Sequence, residues 1–198
     1  TEYIARMDAD DISLPNRFLE QVEFLDNNSN VSVVGSWAYQ INDYGEVKNT
    51  RYTPIKNEDI RKLILKASPM IHPTVMFRKE DIMSLGGYNI KYRYAQDYDL
   101  WFRCLSNGLE LHNIGKPLLE YRVSENHSKK RGMKHRLLDA SIRWNGSKLL
   151  GVPLFNRLIS VSIPIVLGIM PNFLRKIIMK YGNRIDPRTK YKNFTKNI

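Results

Sequence analysis

Apolar and polar positions alternate along the chain in a way that predicts strands and helices in turn. Tyr3-Ile4-Ala5 reads as the end of a buried strand. Ser13 can cap a helix through about Asp26, with Pro15 in its first turn and Phe18, Val22 and Leu25 on one face. Val31 to Ile41 is β-branched and aromatic, and Asn42-Asp43-Tyr44-Gly45 follows as a turn, so a strand and its return are expected. Asn57-Glu58-Asp59 opens a second helix with Ile60, Leu63, Ile64 and Ala67 as its stripe. Thr74 to Phe77 is a short strand, and Asp81 to Leu85 a short helix stopped by Gly86-Gly87. Tyr98 to Ser106 predicts another helix, Leu118 to Val123 another strand, and Lys129 to Leu150 a largely helical basic segment.

Charge divides the chain. Residues 1–100 carry 12 Lys+Arg against 15 Asp+Glu, residues 101–127 three against three, and residues 128–198 sixteen against two. The net charge of +11 therefore belongs to the tail, which points to a polyanionic partner. Leu158 to Met170 holds no charged residue. It is shorter than the roughly 20 apolar residues that span a bilayer, and Pro164 would kink a helix there. Phe173, Leu174, Ile177 and Ile178 recur at helical spacing among Arg175, Lys176 and Lys180. That mixture suits a helix lying in the headgroup region of an anionic membrane. Phosphate contact gives the apolar run no role, so nucleic acid is not the expected partner. Replacing Lys129, Lys130 and Arg131 by Ala should then weaken liposome binding in a salt-dependent way.

Length suggests one domain, or a domain plus an extension. The single cysteine, Cys104, excludes an internal disulfide framework and a cysteine-based zinc site, and reads as a small buried residue on a helix. A reducing cytoplasm fits. Thr1 is not preceded by any signal-peptide pattern, and the expectation is an interior or C-terminal piece of a longer protein.

The candidate chemistry lies in two acidic segments. Met7-Asp8-Ala9-Asp10-Asp11 places three carboxylates within four positions. Their repulsion calls for compensation, and Mg²⁺ or Mn²⁺ shared with substrate phosphates is the strongest candidate. The second segment is Gln96-Asp97-Tyr98-Asp99-Leu100-Trp101, at the start of a helix. Asp97 and Asp99 can each serve the helix N-terminus, and Asp97 is also placed for use as a general base.

Four blocks in order resemble the inverting family 2 glycosyltransferases. These are Ala5-Arg6-Met7-Asp8-Ala9-Asp10-Asp11 with its continuation to Arg17, Val33-Val34-Gly35-Ser36, His72-Pro73-Thr74-Val75-Met76-Phe77-Arg78, and Gly86-Gly87-Tyr88 leading to Asp97. The resemblance covers about residues 3–125 and implies a GT-A fold, an α/β Rossmann-like sheet with flanking helices. It implies donor contacts at Arg6, Asp8 and Asp10, a metal held by Asp10 with Asp8, and Asp97 as the base that deprotonates an acceptor hydroxyl. His72, Gln96, Asp99 and Trp101 fall on the acceptor side.

Departures from the family pattern are specific. Gln96 stands where Glu often precedes the base, and Ser124 stands where many relatives have a His that His127 could replace. Ala140-Ser141-Ile142-Arg143-Trp144 lacks the Gln of the processive Gln-x-x-Arg-Trp motif, which favours transfer of a single sugar. The family's first βα units, which bind base and ribose, would precede Thr1, so the 198 residues alone are expected to bind a nucleoside diphosphate poorly in calorimetry. A calcium-binding helix–loop–helix is excluded by Ile12, Ser13 and Leu19 at its ligand and glycine positions. A metal-dependent phosphotransferase and a non-catalytic membrane-binding module remain as alternatives.

The expected organisation is a catalytic part over 1–127 and a basic amphipathic helical tail over 128–198. The expected partners are a nucleotide-sugar, a glycan or polyprenyl-linked acceptor and an anionic membrane. The expected location is cytoplasmic, peripheral on the inner face of the plasma membrane, in synthesis of a cell-surface polysaccharide.

Overall fold

A computed structural model of the chain describes residues 1–123, 132–170, 188, 191 and 192. Its centre is a pair of parallel strands. β3 (Val31–Ile41) is buried over most of its length, as its β-branched run requires, and β6 (Glu110–Arg122) lies beside it in the register Val34↔His112 and Ala38↔Leu119. The sequence suggests a strand only from Leu118. The strand starts at Glu110, because Gly115 and Pro117 hide an extended segment whose register slips between Ser36 and Ala38 of β3.

The other pairings are antiparallel. Among the described residues the sheet runs β1 (Tyr3–Ala5), β5 (Met76–Arg78), β3, β6, β2 (Ile12–Ser13), with β4 (Val47–Arg51) returning along the second half of β3. The result is a mixed sheet with flanking helices. β1 is half exposed, not buried, and Ile4 lies on the surface.

Helix α1 starts later than expected. It spans Arg17–Asn27, while Ser13 belongs to β2. Phe18 is exposed, and the buried face is Arg17, Gln21 and Leu25. Spacing of four residues predicts that face correctly once Leu25 is taken as its anchor; Arg17 and Gln21 are buried because they find backbone acceptors inside.

The main core lies between the sheet and α2 (Asn57–Leu63), α3 (Lys79–Ser84) and α4 (Gln96–Ser106). Leu100, Trp101, Phe102, Cys104 and Leu105 of α4 meet Val33, Ile60, Ile64, Val75, Phe77 and Leu111. Cys104 is fully buried, as expected, and burial pushes its thiol up to about 12.

Helix α5 (Met133–Leu149) joins this core through Ile142, and its Gly146 sits against the Phe102 ring, where a Cβ would come within 2.2 Å. Helix α6 (Leu154–Ile169) contains Pro164 and buries Ser160 and Pro164, with the Ser160 hydroxyl donating to Leu65 O at 2.6 Å. Among the described residues no helix is long and apolar enough to cross a membrane. Ser124, His127, Lys129 to Arg131 and the Phe173–Lys180 segment lie outside the described residues.

Candidate active site

The acidic loop joins β1 to β2, and buried polar groups fix it. Arg6 N–H donates to Val75 O at 2.9 Å, while the Arg17 guanidinium donates to Arg6 O at 2.7 Å. Both sides of the Arg6 residue are thereby held. Gln21 supports the neighbouring backbone, accepting from Arg17 Nε and donating to Thr74 O and Val34 O. Arg17 is fully buried, and burial brings its guanidinium down to about 10.

From this anchor the three carboxylates diverge. Asp8 is bridged by Arg6 at 2.5 Å. Asp10 points to solvent, with its carbonyl accepting from Arg122 Nε at 2.9 Å. Asp11 turns inward, is 6% exposed, and accepts the Arg122 amide at 2.9 Å. Burial, reinforced by the charges of Asp8 and Asp10 against that hydrogen bond, pushes the Asp11 carboxyl up to about 6.

A second loop delivers Asp97. Gly86 and Gly87 adopt φ of 78° and 65°, and Arg103 donates to the carbonyls of Leu85 and Gly87 across that turn. Asp99 holds Arg103 in place at 2.8 Å. Ala95, the N-cap of α4, is left-handed at φ 54°, an uncommon conformation for a residue with a Cβ. It starts the helix so that Asp97 lies in its first turn without capping it through a side-chain hydrogen bond.

His72 lies between the two loops, in the 3₁₀ turn His72–Thr74. Its Nε2 is 2.9 Å from the Tyr88 hydroxyl, and its ring meets the Trp101 ring edge-on at 6.2 Å. Burial lowers the His72 pKa, and the Asp97 charge opposes this. Burial also pushes the Tyr88 phenol up to about 12.

Asp8, His72 and Asp97 line one cleft of about 820 Å³, together with Arg51 and Tyr121 on the sheet and His135, Arg136, Asp139 and Arg143 on α5. This is ample for a sugar with phosphate groups. Asp10, Gln96 and Asp99 are not among its lining residues, and Trp101 is fully buried beside His72.

Sequence reading missed the supports: Arg17, Gln21, Tyr88, Arg103 and Arg122. A signal was available for the first two, because an Arg and a Gln at four-residue steps from Leu25 share its buried face. The Arg143 of the altered Gln-x-x-Arg-Trp segment pairs with Asp139 at 2.8 Å and donates to Leu65 O, and Trp144 stacks under Arg157 at 4.0 Å.

Among the described residues no three His, Cys, Asp or Glu side chains converge into a preformed metal cage. The acidic loop nevertheless fits Mg²⁺ or Mn²⁺. Such ions are held by one or two carboxylates, with substrate phosphates and water completing the shell. Asp8 on the cleft and solvent-facing Asp10 supply carboxylates. Beneath them Asp11 Oδ2 is buried without a hydrogen-bond partner, so a nearby cation would relieve its charge.

A profile of "Glycosyl transferase family 2" matches residues 1–86. The chain is 31% identical over 184 residues to an Escherichia coli protein named UDP-Gal:alpha-D-GlcNAc-diphosphoundecaprenol beta-1,3-galactosyltransferase, covering 90% of this chain and 65% of the relative. It is 33% identical to the amylovoran biosynthesis glycosyltransferase AmsE of Erwinia amylovora, covering 67% of this chain and 49% of the relative. The chain spans about half the length of the curated relatives it matches. In fold it is similar to S. aureus TarS 1-349, solved in complex with UDP-GlcNAc, with a TM-score of 0.52 at 12% identity over 92% of this chain and 48% of that one. Motif order, relatives and fold agree, and the chain belongs to glycosyl transferase family 2.

Proposed function

We propose that the protein transfers one sugar from a nucleotide-sugar to a hydroxyl of a glycan or lipid-linked acceptor, with inversion, in the synthesis of a cell-surface polysaccharide. The observation that carries this reading is that Asp8 and Asp97, far apart in sequence, line the same cleft with His72. Asp97 takes the proton of the acceptor hydroxyl as its oxygen attacks the anomeric carbon, and the bond to the nucleoside diphosphate breaks on the opposite face. That geometry converts an α-linked donor into a β-linked product. Asp8 and Asp10 would hold Mg²⁺ or Mn²⁺, which when bound stabilises charge on the departing diphosphate. Arg6 orients Asp8, and His72, held by Tyr88, lines the cleft beside Asp97. Ala140 in place of the processive Gln supports release after one transfer.

The reading extends to peripheral binding at the inner face of the plasma membrane. Phe155, Ile159, Val166 and Ile169 follow one another on α6 at steps of four, seven and three residues, and all are exposed, Phe155 by 73% and Ile169 by 71%. A chain segment with sixteen basic against two acidic residues complements an anionic surface.

The deciding experiment is Asp97→Asn in the full-length protein, assayed with a panel of nucleotide-sugars and lipid-linked acceptors. Loss of transfer by about a thousandfold or more, with an unchanged thermal melt, is expected for a base. Unchanged transfer removes Asp97 from that role. Phe155→Glu with Ile159→Glu should abolish flotation with anionic vesicles, and retained flotation overturns the membrane reading.

A further inference from the structure

His72 shares the cleft lining with two carboxylates, Asp8 and Asp97. Burial lowers its pKa, and the charges of both aspartates act against that shift. An ionised carboxylate is a pure hydrogen-bond acceptor. A sugar hydroxyl that donates to Asp97 keeps lone pairs of its own, and these call for a donor nearby. Whether His72 can be that donor depends on which ring nitrogen carries the proton.

The surroundings of the ring decide the tautomer. Among the described residues the Tyr88 hydroxyl is the one hydrogen-bond partner of the imidazole, and it meets Nε2 at 2.9 Å. The same hydroxyl has no second acceptor among those residues. A proton on Nε2 would therefore leave the phenol O–H without a partner in a part-buried contact. With Nε2 unprotonated, the phenol donates to it and both groups are satisfied. Burial pushes the phenol up to about 12, so it keeps the proton it donates.

The ring proton then sits on Nδ1. That atom has no partner among the described residues and is not sealed away from solvent. Ring contacts hold the imidazole in this pose. Tyr88 meets it edge-on with centroids 5.6 Å apart, and Trp101 does so at 6.2 Å. Tyr88 is not among the residues that line the cleft, so it acts on the site through His72.

We infer that Tyr88 is a positioning residue, whose hydroxyl donates to His72 Nε2 and fixes the Nδ1–H tautomer, so that His72 offers the cleft an N–H donor for a sugar hydroxyl held by Asp97. The sugar rests on the glycosyl-transfer reading; the tautomer does not. A diphosphate oxygen would also accept from such a donor, so the test separates the two.

The tautomer is read by ¹⁵N NMR on full-length protein labelled at histidine, at about pH 8, where the ring is neutral. His72→Gln identifies the resonances. The parent protein should show the one-bond N–H coupling at Nδ1 and an unprotonated Nε2. Tyr88→Phe keeps the ring and removes the hydroxyl, and should move most of the population to Nε2–H. A parent His72 protonated at Nε2 overturns the inference whether or not any variant folds. So does an unchanged tautomer in Tyr88→Phe. In transfer assays Tyr88→Phe should lower kcat/KM by about tenfold, while its affinity for UDP in calorimetry stays within about twofold. A parallel loss of UDP binding would give the donor to the diphosphate and overturn the hydroxyl assignment. The two readings fail separately: intact transfer in Asp97→Asn removes the base and leaves the His72 tautomer as measured.

Discussion

The acidic loop and helix α5 line the same cleft, yet they are held by different forces. The loop contributes little apolar surface. Its backbone accepts hydrogen bonds from Arg17 and Arg122, which reach in from other elements, and Gln21 holds Arg17 in place. Helix α5 is held by shape, with Ile142 in the main core and Gly146 flush against Phe102. Hydrogen-bonded supports tolerate no change of donor geometry, because each lost donor leaves a buried acceptor unsatisfied. Packed supports tolerate small changes of shape and fail only when a void opens.

That contrast can be broken by substitution. Ile142→Ala should give the largest loss, about 3–4 kcal/mol in urea unfolding, while Ile142→Val costs about 1 kcal/mol. Arg17→Lys should cost about 2–3 kcal/mol despite keeping the charge, since an ammonium cannot serve Arg6 O, Val75 O and Gln21 Oε1 as the guanidinium does. If Arg17→Lys proves as mild as Ile142→Val, the two supports do not differ in kind. Thr74→Val should cost about 1–2 kcal/mol, because the Thr74 hydroxyl accepts from Ser36 N–H and donates to Ile71 O, both buried.

The smallest effect concerns pH. The His72 pKa is lower in the folded chain than its ordinary 6.5, so the folded state binds fewer protons as the pH falls through and below that value. The stability it contributes is complete above about pH 6.5 and declines with further acidification. His72→Gln should flatten that decline in thermal melts between pH 7.5 and 5. An unchanged slope would show that His72 does not titrate with folding.

Regular elements with one dominant period were legible in the sequence. β3 matches its expected span of Val31 to Ile41, and the α2 stripe of Ile60 and Leu63 is buried as expected. The first half of β6 was hidden because Gly115 and Pro117 are poor strand formers that a long parallel partner overrides. At the site, the motifs singled out Asp8, His72 and Asp97 one by one, and the structure places the three along one cleft. They did not show that Asp11 turns inward or that Asp99 is occupied with Arg103. Those fates depend on Arg122 and on the carbonyls of Leu85 and Gly87, partners that no local pattern links to them.

Ala95 has a consequence for how Asp97 is carried. Glycine would adopt φ 54° without steric cost, whereas alanine pays roughly 1–2 kcal/mol for the left-handed turn. The methyl group also removes backbone freedom from the unfolded chain, which returns about 0.4–1 kcal/mol. The return offsets only part of the cost, so the joint is a net strain of about 1 kcal/mol that the packing around it must hold. Asp97 thus reaches the cleft from a helix whose N-cap has few backbone conformations open to it, and a single methyl group narrows that choice.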